Sequence, residues 1–375
     1  MSSARYVFVF MSLLLLMCVA VAALNRIVDP FWYYRDVSIA GFNAIKPKFL
    51  RYERHVKPAL VQREQPASLI FGSSFSEIGF DPKHPALNTL GKGYNFALAG
   101  APWEMVTCDV QFALKHDPNL RQIVLGIHPR ALPRKDCSAD IRNMESPDEQ
   151  AFLFSYDALE ATLNTLLEQG RRKPSHTADG LYFYSRGATG TASRFQQDFN
   201  HIHAQPCPPG TLRPDAQHRA PPPDLGGLQD LLAMTKARGI TLKLVVYPSH
   251  ALAIEQQYQC ATRQSRWDAL REIARLVENT GGTVALWDFE GYHEVGTEPI
   301  SEAPALYWQD LSHFNSEFGD LMLDEMFAIK SPRLGMQLTT ANVELRAQTE
   351  AGMREEYLRT HPEFTRQLQT MLSRH

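Results

Sequence analysis

Short apolar runs alternating with longer segments of helical period constrain this chain more than any other feature. Residues 67–71 (ASLIF) end in Gly72, 122–127 read QIVLGI, 240–247 form a strong run ending in Tyr247, and 283–288 form a last one. Residues 94–98 are a further short candidate. Brief apolar runs closed by glycine or a turn read as buried strands. Between them lie helical segments: 102–115, with Pro102 allowed in a first turn, and 157–169, with Leu159, Leu163, Leu166 and Leu167 on one stripe before Gly170. Two more follow, one over 228–237 closed by Gly239, the other carrying Trp267, Leu270, Ile273, Ala274 and Val277 in phase and closed by Gly281-Gly282. Strands alternating with helices predict an α/β domain with a mainly parallel sheet flanked by helices. The domain reads as 67–331. Within it periodicity fails over 190–224, where Pro208-Pro209 and Pro221-Pro222-Pro223 demand irregular structure. The polar, helix-prone stretch 332–375 reads as a peripheral appendage, and no internal repeat is found.

A chain of 375 residues, 44% hydrophobic, can bury a core of that size; a net charge of −3 with no basic stripe argues against a nucleic-acid partner. Residues 6–24 are almost unbroken apolar, bounded by Arg5 and by Asn25-Arg26. That is close to the roughly 20 residues a helix needs to cross a bilayer. Ala20-Val21-Ala22-Ala23 has the small residues of a signal-peptide cleavage site, but the length of the run favours an uncleaved signal anchor over 1–28. Arg5 and the terminal amine orient the N-terminus inside. The expectation is a single-pass protein of a bacterial inner membrane with its bulk in the periplasm. Residues 29–66, aromatic and basic without clear period, read as a juxtamembrane linker and an entry to the domain.

Cys18 lies in the apolar run, leaving Cys108, Cys137, Cys207 and Cys260 in the exported part. Two disulfides in any of three pairings, or buried free thiols, are both open. With no CxxC and no Cys/His cluster, neither a metal nor a cofactor is expected.

In an open parallel sheet, reactive groups collect in loops at the carboxyl ends of strands. Three segments there carry suitable residues. Residues 72–79 (GSSFSEIG) can project a serine hydroxyl from a tight strand-to-helix turn, and 95–100 (NFALAG) end in a glycine whose N–H can approach an oxyanion. The third is Asp310-Leu311-Ser312-His313. Serine needs an adjacent base, normally histidine, oriented by a carboxylate; Asp and His three residues apart can hold that relation within one turn. Singly these pieces are common in loops. Their order on an α/β frame gives them weight.

Together the blocks resemble the SGNH (GDSL-like) hydrolase superfamily, whose first block sets the nucleophile in a Gly-x-Ser turn and whose last is Asp-x-x-His. Over about 68–327 the chain is more similar to the exported, membrane-anchored branch that includes alginate O-acetylation proteins and the D-alanyl-transfer protein of teichoic acids. The residues carrying this are Phe71-Gly72-Ser73-Ser74, Gly79-Phe80-Asp81-Pro82, 94–100 (YNFALAG) and 307–315 (YWQDLSHFN). The resemblance implies an SGNH-like, flavodoxin-like fold with Ser74 as nucleophile, His313 as base and Asp310 as its orienting partner. It implies O-acyl transfer, in the first place O-acetyl transfer, on an exported or cell-envelope polysaccharide, beside a membrane-bound O-acyltransferase partner. A carbohydrate esterase, and a non-catalytic glycan-binding or scaffold component of an export complex, are the alternatives.

One block departs from the pattern. Where the superfamily offers an Asn side chain to the oxyanion, this sequence has Gly126-Ile127-His128-Pro129. His128 is therefore a candidate donor or a structural strand-end histidine, beside backbone N–H groups of Ser74 and Gly100. Asn95 is a further candidate at the oxyanion or substrate. His250, in Tyr247-Pro248-Ser249-His250, reads as a substrate contact or a loop cap. Asp288, Glu290 and His293 are weaker candidates, and Tyr182, Phe183 and Tyr184 read as a sugar-stacking surface or as core.

Overall fold

The computed structural model describes residues 3–145, 149–171, 173–183, 191–204, 222–260, 262–301 and 305–372. Its N-terminal half contains α1 (Ser3–Val28), α2 (Phe49–Glu64), β1 (Ser68–Phe71), α3 (Ser74–Gly79), β2 (Gly93–Asn95), α4 (Trp103–His116), β3 (Gln122–Ile127), α5 (Ser138–Glu145), α6 (Glu149–Phe154) and α7 (Tyr156–Glu168). After these come α8 (Thr191–Ala204), α9 (Gly226–Ala237), β4 (Thr241–Val246), α10 (Ala251–Gln259), α11 (Arg263–Glu278), β5 (Val284–Asp288), α12 (Ser316–Met326), β6 (Met336–Leu338), α13 (Val343–Thr360) and α14 (Pro362–Leu372).

The strands form one sheet in the order β2-β1-β3-β4-β5-β6, parallel except for β6, which pairs antiparallel with β5. Strands covered on both faces should be apolar throughout, and β1 and β3 are buried at every position. Alternate side chains feed two cores. Leu69, Phe71, Ile123, Leu125, Leu242 and Leu244 pack with α2, α4, α9 and α11. Ile70, Val124, Val245 and Trp287 face the opposite layer, with α8, α10, α12 and α14. Order reverses at β1, which lies between β2 and β3. In doubly wound sheets that switch point opens a crevice at the strands' carboxyl ends, and Ser74 starts its helix there.

Several segments differ from the sequence reading. Residues 29–66 are more than a linker and an entry: Phe31, Trp32, Tyr34, Phe49, Val56 and Leu60 are core residues. Lys57 of α2 is fully buried, its ammonium donating to Glu77 Oε1 at 2.6 Å and to the Ala97 carbonyl at 2.5 Å. The 332–375 tail supplies β6 and a buried ionic connection. Asp288, fully buried at the end of β5, takes Arg266 of α11 and Arg346 of α13 (Nε at 2.9 Å). Burial alone would raise its pKa, but the two guanidinium charges hold it down at about 2. Arg263 joins Glu290 to Glu350 in the same layer. Asp288 and Glu290 are thus structural ion partners, and His293 is structural in a different way, its ring bonding the Phe289 carbonyl (2.9 Å) and the Gly296 N–H (3.1 Å).

Part of 190–224, expected to be irregular, is helix α8, with Phe195 and Phe199 buried; 190 and 205–221 lie outside the described residues. Cys108 and Cys137 form a disulfide joining α4 to the start of α5, and Cys260 is also disulfide-bonded; Cys207 lies outside the described residues. Cys18 is the free cysteine of the described chain. Helix α1 is long and apolar enough to cross a membrane, and no residue of its most apolar window is buried inside the molecule.

Candidate active site

The turn after β1 is built around one phenol. Gly72 has φ +142°, a backbone conformation that favours glycine, and a Cβ there would lie 2.1 Å from the Tyr247 hydroxyl. A Cβ on Gly126, at the end of β3, would meet the same ring at 2.2 Å. Both glycines therefore admit Tyr247 across the ends of β1 and β3. Its hydroxyl accepts from the Ser73 N–H at 3.1 Å and bonds Ser76 Oγ at 2.8 Å. This fixes the residues on either side of Ser74, whose own side chain is left partly exposed.

The other half of the site arrives from a distant part of the chain. Residues 307–315 fold back on themselves: the Gln309 N–H donates to the His313 carbonyl (2.8 Å) and the Asn315 N–H to the Tyr307 carbonyl (2.7 Å). The buried Trp308 indole donates to the Val295 carbonyl at 2.7 Å, and the His250 N–H holds the Leu311 carbonyl at 3.0 Å. Helix α12, which follows, packs on α3 at glycine contact distance. A Cβ on Gly319 would fall 1.6 Å from the Gly79 carbonyl oxygen, and one on Gly79 would fall 1.9 Å from the Phe314 ring. That approach delivers His313 to Ser74.

A continuous hydrogen-bonded chain results. Ser74 Oγ is 2.9 Å from His313 Nε2, and His313 Nδ1 is 2.8 and 3.0 Å from the two Asp310 oxygens. Asp310 is 2% exposed and also accepts the Ser312 N–H (2.9 Å) and the His313 N–H (2.7 Å) through Oδ1. Burial works against its charge, but the bonds and charge of His313 and the backbone donors outweigh burial and hold its pKa below the usual value. An ionised Asp310 keeps the proton on Nδ1 and leaves Nε2 free to accept from Ser74.

Phe75, not singled out from the sequence, organises the aromatic wall. Its ring stacks on His313 (4.5 Å, 24°) and on Tyr247 (4.8 Å, 24°), and meets His128 edge-on (4.9 Å, 87°). Its only signal in the sequence is its position next to Ser74. His128 stands at this wall, partly buried. Desolvation, with Arg130 next, pushes its pKa down to about 4, so the imidazole is neutral at pH 7. A small cavity lined by Ser73, Trp103, Gly126 and His128 opens beside it, and a cleft of about 950 Å³ shares His128, Arg130 and Tyr247 with that cavity. The cleft continues past Ser249, Gln257 and Gln264 to charged side chains that include Arg266, Asp268 and Arg271 of α11.

Two expected site residues are elsewhere engaged. Asn95 is fully buried behind the site, its amide donating to the Ser76 (3.0 Å) and Phe80 (2.9 Å) carbonyls while its oxygen accepts the Ala97 N–H (3.0 Å). It brackets α3 and has no capacity left for an oxyanion. His250 is likewise buried, Nδ1 capping α10 at the Leu252 N–H (3.3 Å) and Nε2 bonding the Glu298 carbonyl (3.0 Å). It is a loop cap, not a substrate contact. Gly100 sits exposed in the left-handed turn before α4, with φ +66°. Tyr182 stacks on His176 inside the molecule, Phe183 is exposed, and Tyr184 lies outside the described residues.

Glu53, Glu77 and His176 place potential ligand atoms within 4.8 Å of one another. The Lys57 ammonium already supplies the cation there: its charge and the His176 bond outweigh burial and hold Glu77 at about 2, while burial raises Glu53. This is a buried ionic brace between α2 and α3. No protein-family model matches this sequence, and no curated protein matches it.

Proposed function

We propose that the chain is an SGNH-type serine O-acyltransferase that places an acyl group, in the first place acetyl, on hydroxyls of an exported or cell-envelope polysaccharide. The observation carrying this is the bonded series Ser74 Oγ–His313 Nε2, His313 Nδ1–Asp310, at 2.9 and 2.8 Å. Its location at the switch point of a 2-1-3-4-5 sheet supports an SGNH-like fold. In this reading His313 Nε2 takes the Ser74 proton as Oγ attacks the acyl carbonyl carbon. The backbone N–H groups of Ser74 and Gly100 and the neutral imidazole of His128 are the donors for the oxyanion. His313 then returns the proton to the departing oxygen, leaving acyl-Ser74. A sugar hydroxyl gives its proton to His313, attacks the ester, and regenerates free Ser74.

Water in place of the sugar would make the same site an esterase. The cleft that shares His128 and Tyr247 with the aromatic wall, with Ser249, Gln257 and Gln264 along it, favours a carbohydrate acceptor over water alone. In the membrane, an integral O-acyltransferase is the proposed supplier of acyl groups.

The test is acetyl release and transfer from a chromogenic acetyl ester by the membrane-reconstituted chain, with and without oligosaccharide acceptors. Turnover that is lost in Ser74→Ala and shifts toward acetylated sugar is the expected result. Serine-dependent release of acetate that no acceptor diverts would make it an esterase. Equal turnover by both proteins, together with no Ser74 labelling by a fluorophosphonate, would leave a glycan-binding module.

A further inference from the structure

Helix α7 is folded inside out. Its buried side is Ala158, Ala161, Thr162 and Thr165, whereas Tyr156, Leu163 and Leu167, which fall together on the opposite side, are 79%, 47% and 67% exposed. A helix of a water-surrounded domain turns its leucines inward. Here small residues face the core, Leu163 and Leu167 face out, and Leu159 and Leu166 are half-buried between the two sides.

The location of this face identifies what covers it. Helices α6 and α7 pack against α1, and they do so at its C-terminal end, where Asn25 and Val28 are its buried residues. The Asn25 amide donates to the Leu153 carbonyl at 2.8 Å, and Arg26 lies 3.8 Å from Glu149. Phe154, next to Leu153, is 55% exposed. Ile27 and Ile39, both about half exposed, are held on the same end of α1 by Asn43, which bonds the Ile27 carbonyl (3.2 Å) and the Ile39 N–H (2.8 Å). The outward apolar side chains therefore sit on the elements that pack against the end of the apolar helix. Arg171 and Lys173 follow α7 and are exposed. Tyrosine, leucine and flanking cations are the composition of a surface lying in the headgroup layer.

We infer that the outer face of α7, with Phe154, Ile27 and Ile39, is immersed in the interfacial layer of the bilayer that α1 enters. The inference rests on α1 being a membrane span. The domain is then docked against the membrane in one orientation, with the bilayer, not another protein, as the occupant of this face. Continuity with α1 favours lipid: any chain whose α1 is inserted brings these residues to the headgroups without further assembly.

The experiment uses the full chain with Cys18→Ser, reconstituted in phosphatidylethanolamine–phosphatidylglycerol vesicles, with an environment-sensitive fluorophore on Leu163→Cys or Leu167→Cys. References are Leu14→Cys, within α1, and Leu345→Cys, exposed on α13 at the β6 edge of the sheet. All four positions are exposed, so labelling leaves the core intact. The expected result is that labels at 163 and 167 shift to the blue and lose emission to lipids brominated near the headgroup, while the label at 345 loses emission only to aqueous iodide. Labels at 163 and 167 that behave like 345, with 14 quenched by deeply brominated lipid, would overturn the docking and leave the face to a protein partner. If 14 is also open to iodide, the span itself is wrong and the docking falls with it.

Discussion

Replacing Asp310 by Asn isolates the role of its charge without changing its shape. In the native site Oδ1 takes the backbone N–H groups of Ser312 and His313 at 2.9 and 2.7 Å, while Oδ2 faces His313 Nδ1 at 2.8 Å. An amide can satisfy the two backbone donors only with its oxygen, which forces its NH2 into the place of Oδ2. The NH2 then points a donor at Nδ1, which must give up its proton to accept it. The proton moves to Nε2, the atom that receives the Ser74 proton in the proposed mechanism, and the proposed base is lost. For a serine–histidine pair this tautomer switch costs about 10⁴ in kcat, equivalent to ~5 kcal/mol in the barrier. Stability should fall far less, by about 1–3 kcal/mol for the lost charged hydrogen bond. The sign with pH follows from the depressed pKa of Asp310. Its stabilisation is present above the unfolded-state pKa and is lost as pH falls through the folded-state value, so the wild type and Asp310→Asn should converge in stability in acid. The assay is serine-dependent turnover of a chromogenic acetyl ester, with thermal unfolding of the same samples across pH. Asp310→Asn retaining turnover within tenfold of wild type, while Ser74→Ala abolishes it, would refute the assignment of Asp310 as the group that sets the tautomer.

Gly319→Ala should destabilise by at least the ~1–3 kcal/mol typical of overpacking, because its methyl meets the Gly79 backbone and has no flexible side chain to displace; lowered thermal stability with a parallel loss of turnover is expected, since the same contact positions His313. Asp288→Ala leaves Arg266 and Arg346 buried without their carboxylate and should cost about 3–5 kcal/mol, read by urea unfolding. In the wild type the Asp288 contribution is present above pH 4 and is lost as pH falls toward its folded-state value of about 2. Replacing Cys108 and Cys137 together by serine opens a closure spanning 29 residues and should cost ~3–4 kcal/mol; unfolding with and without reductant, compared with the double variant, measures it.

The strands that could be read from sequence are those built on an apolar run. Residues 69–71, 123–127 and 284–287 declare themselves because burial on two faces leaves little room for a polar position, and the polar Ser68, Gln122 and Asp288 stand at the ends of their strands. Ser74, Asp310 and His313 were legible as short motifs, since a turn glycine and an Asp-x-x-His spacing are local. What remained hidden is set by partners far along the chain. β6 is three residues of ordinary composition, and only pairing with β5 makes Met336–Leu338 a strand. Asn95 and His250 have the right chemistry for a site, but the sequence carries no sign that backbone groups use up their bonding capacity. The periodicity of 157–169 located a helix and its leucine stripe, yet a stripe has the same period whether it faces a core or, as Leu163 and Leu167 do, the outside. The two glycines that let α3 and α12 touch are also silent until the helices are seen together.

The antiparallel β6 has a consequence for how the molecule comes to exist. A chain that emerges from its N-terminus presents β5 as a naked edge, with Asp288 answered only by Arg266, until the stretch carrying Met336 and Arg346 has appeared. During that interval the sheet has an open side able to pair with a neighbouring nascent chain. The final segment therefore acts as a closing piece. Its arrival completes the ionic layer and replaces the longer edge of β5 with the three-residue edge of β6, which is harder to pair with, so chains shortened at the end should be lost to aggregation before they are lost to inactivity.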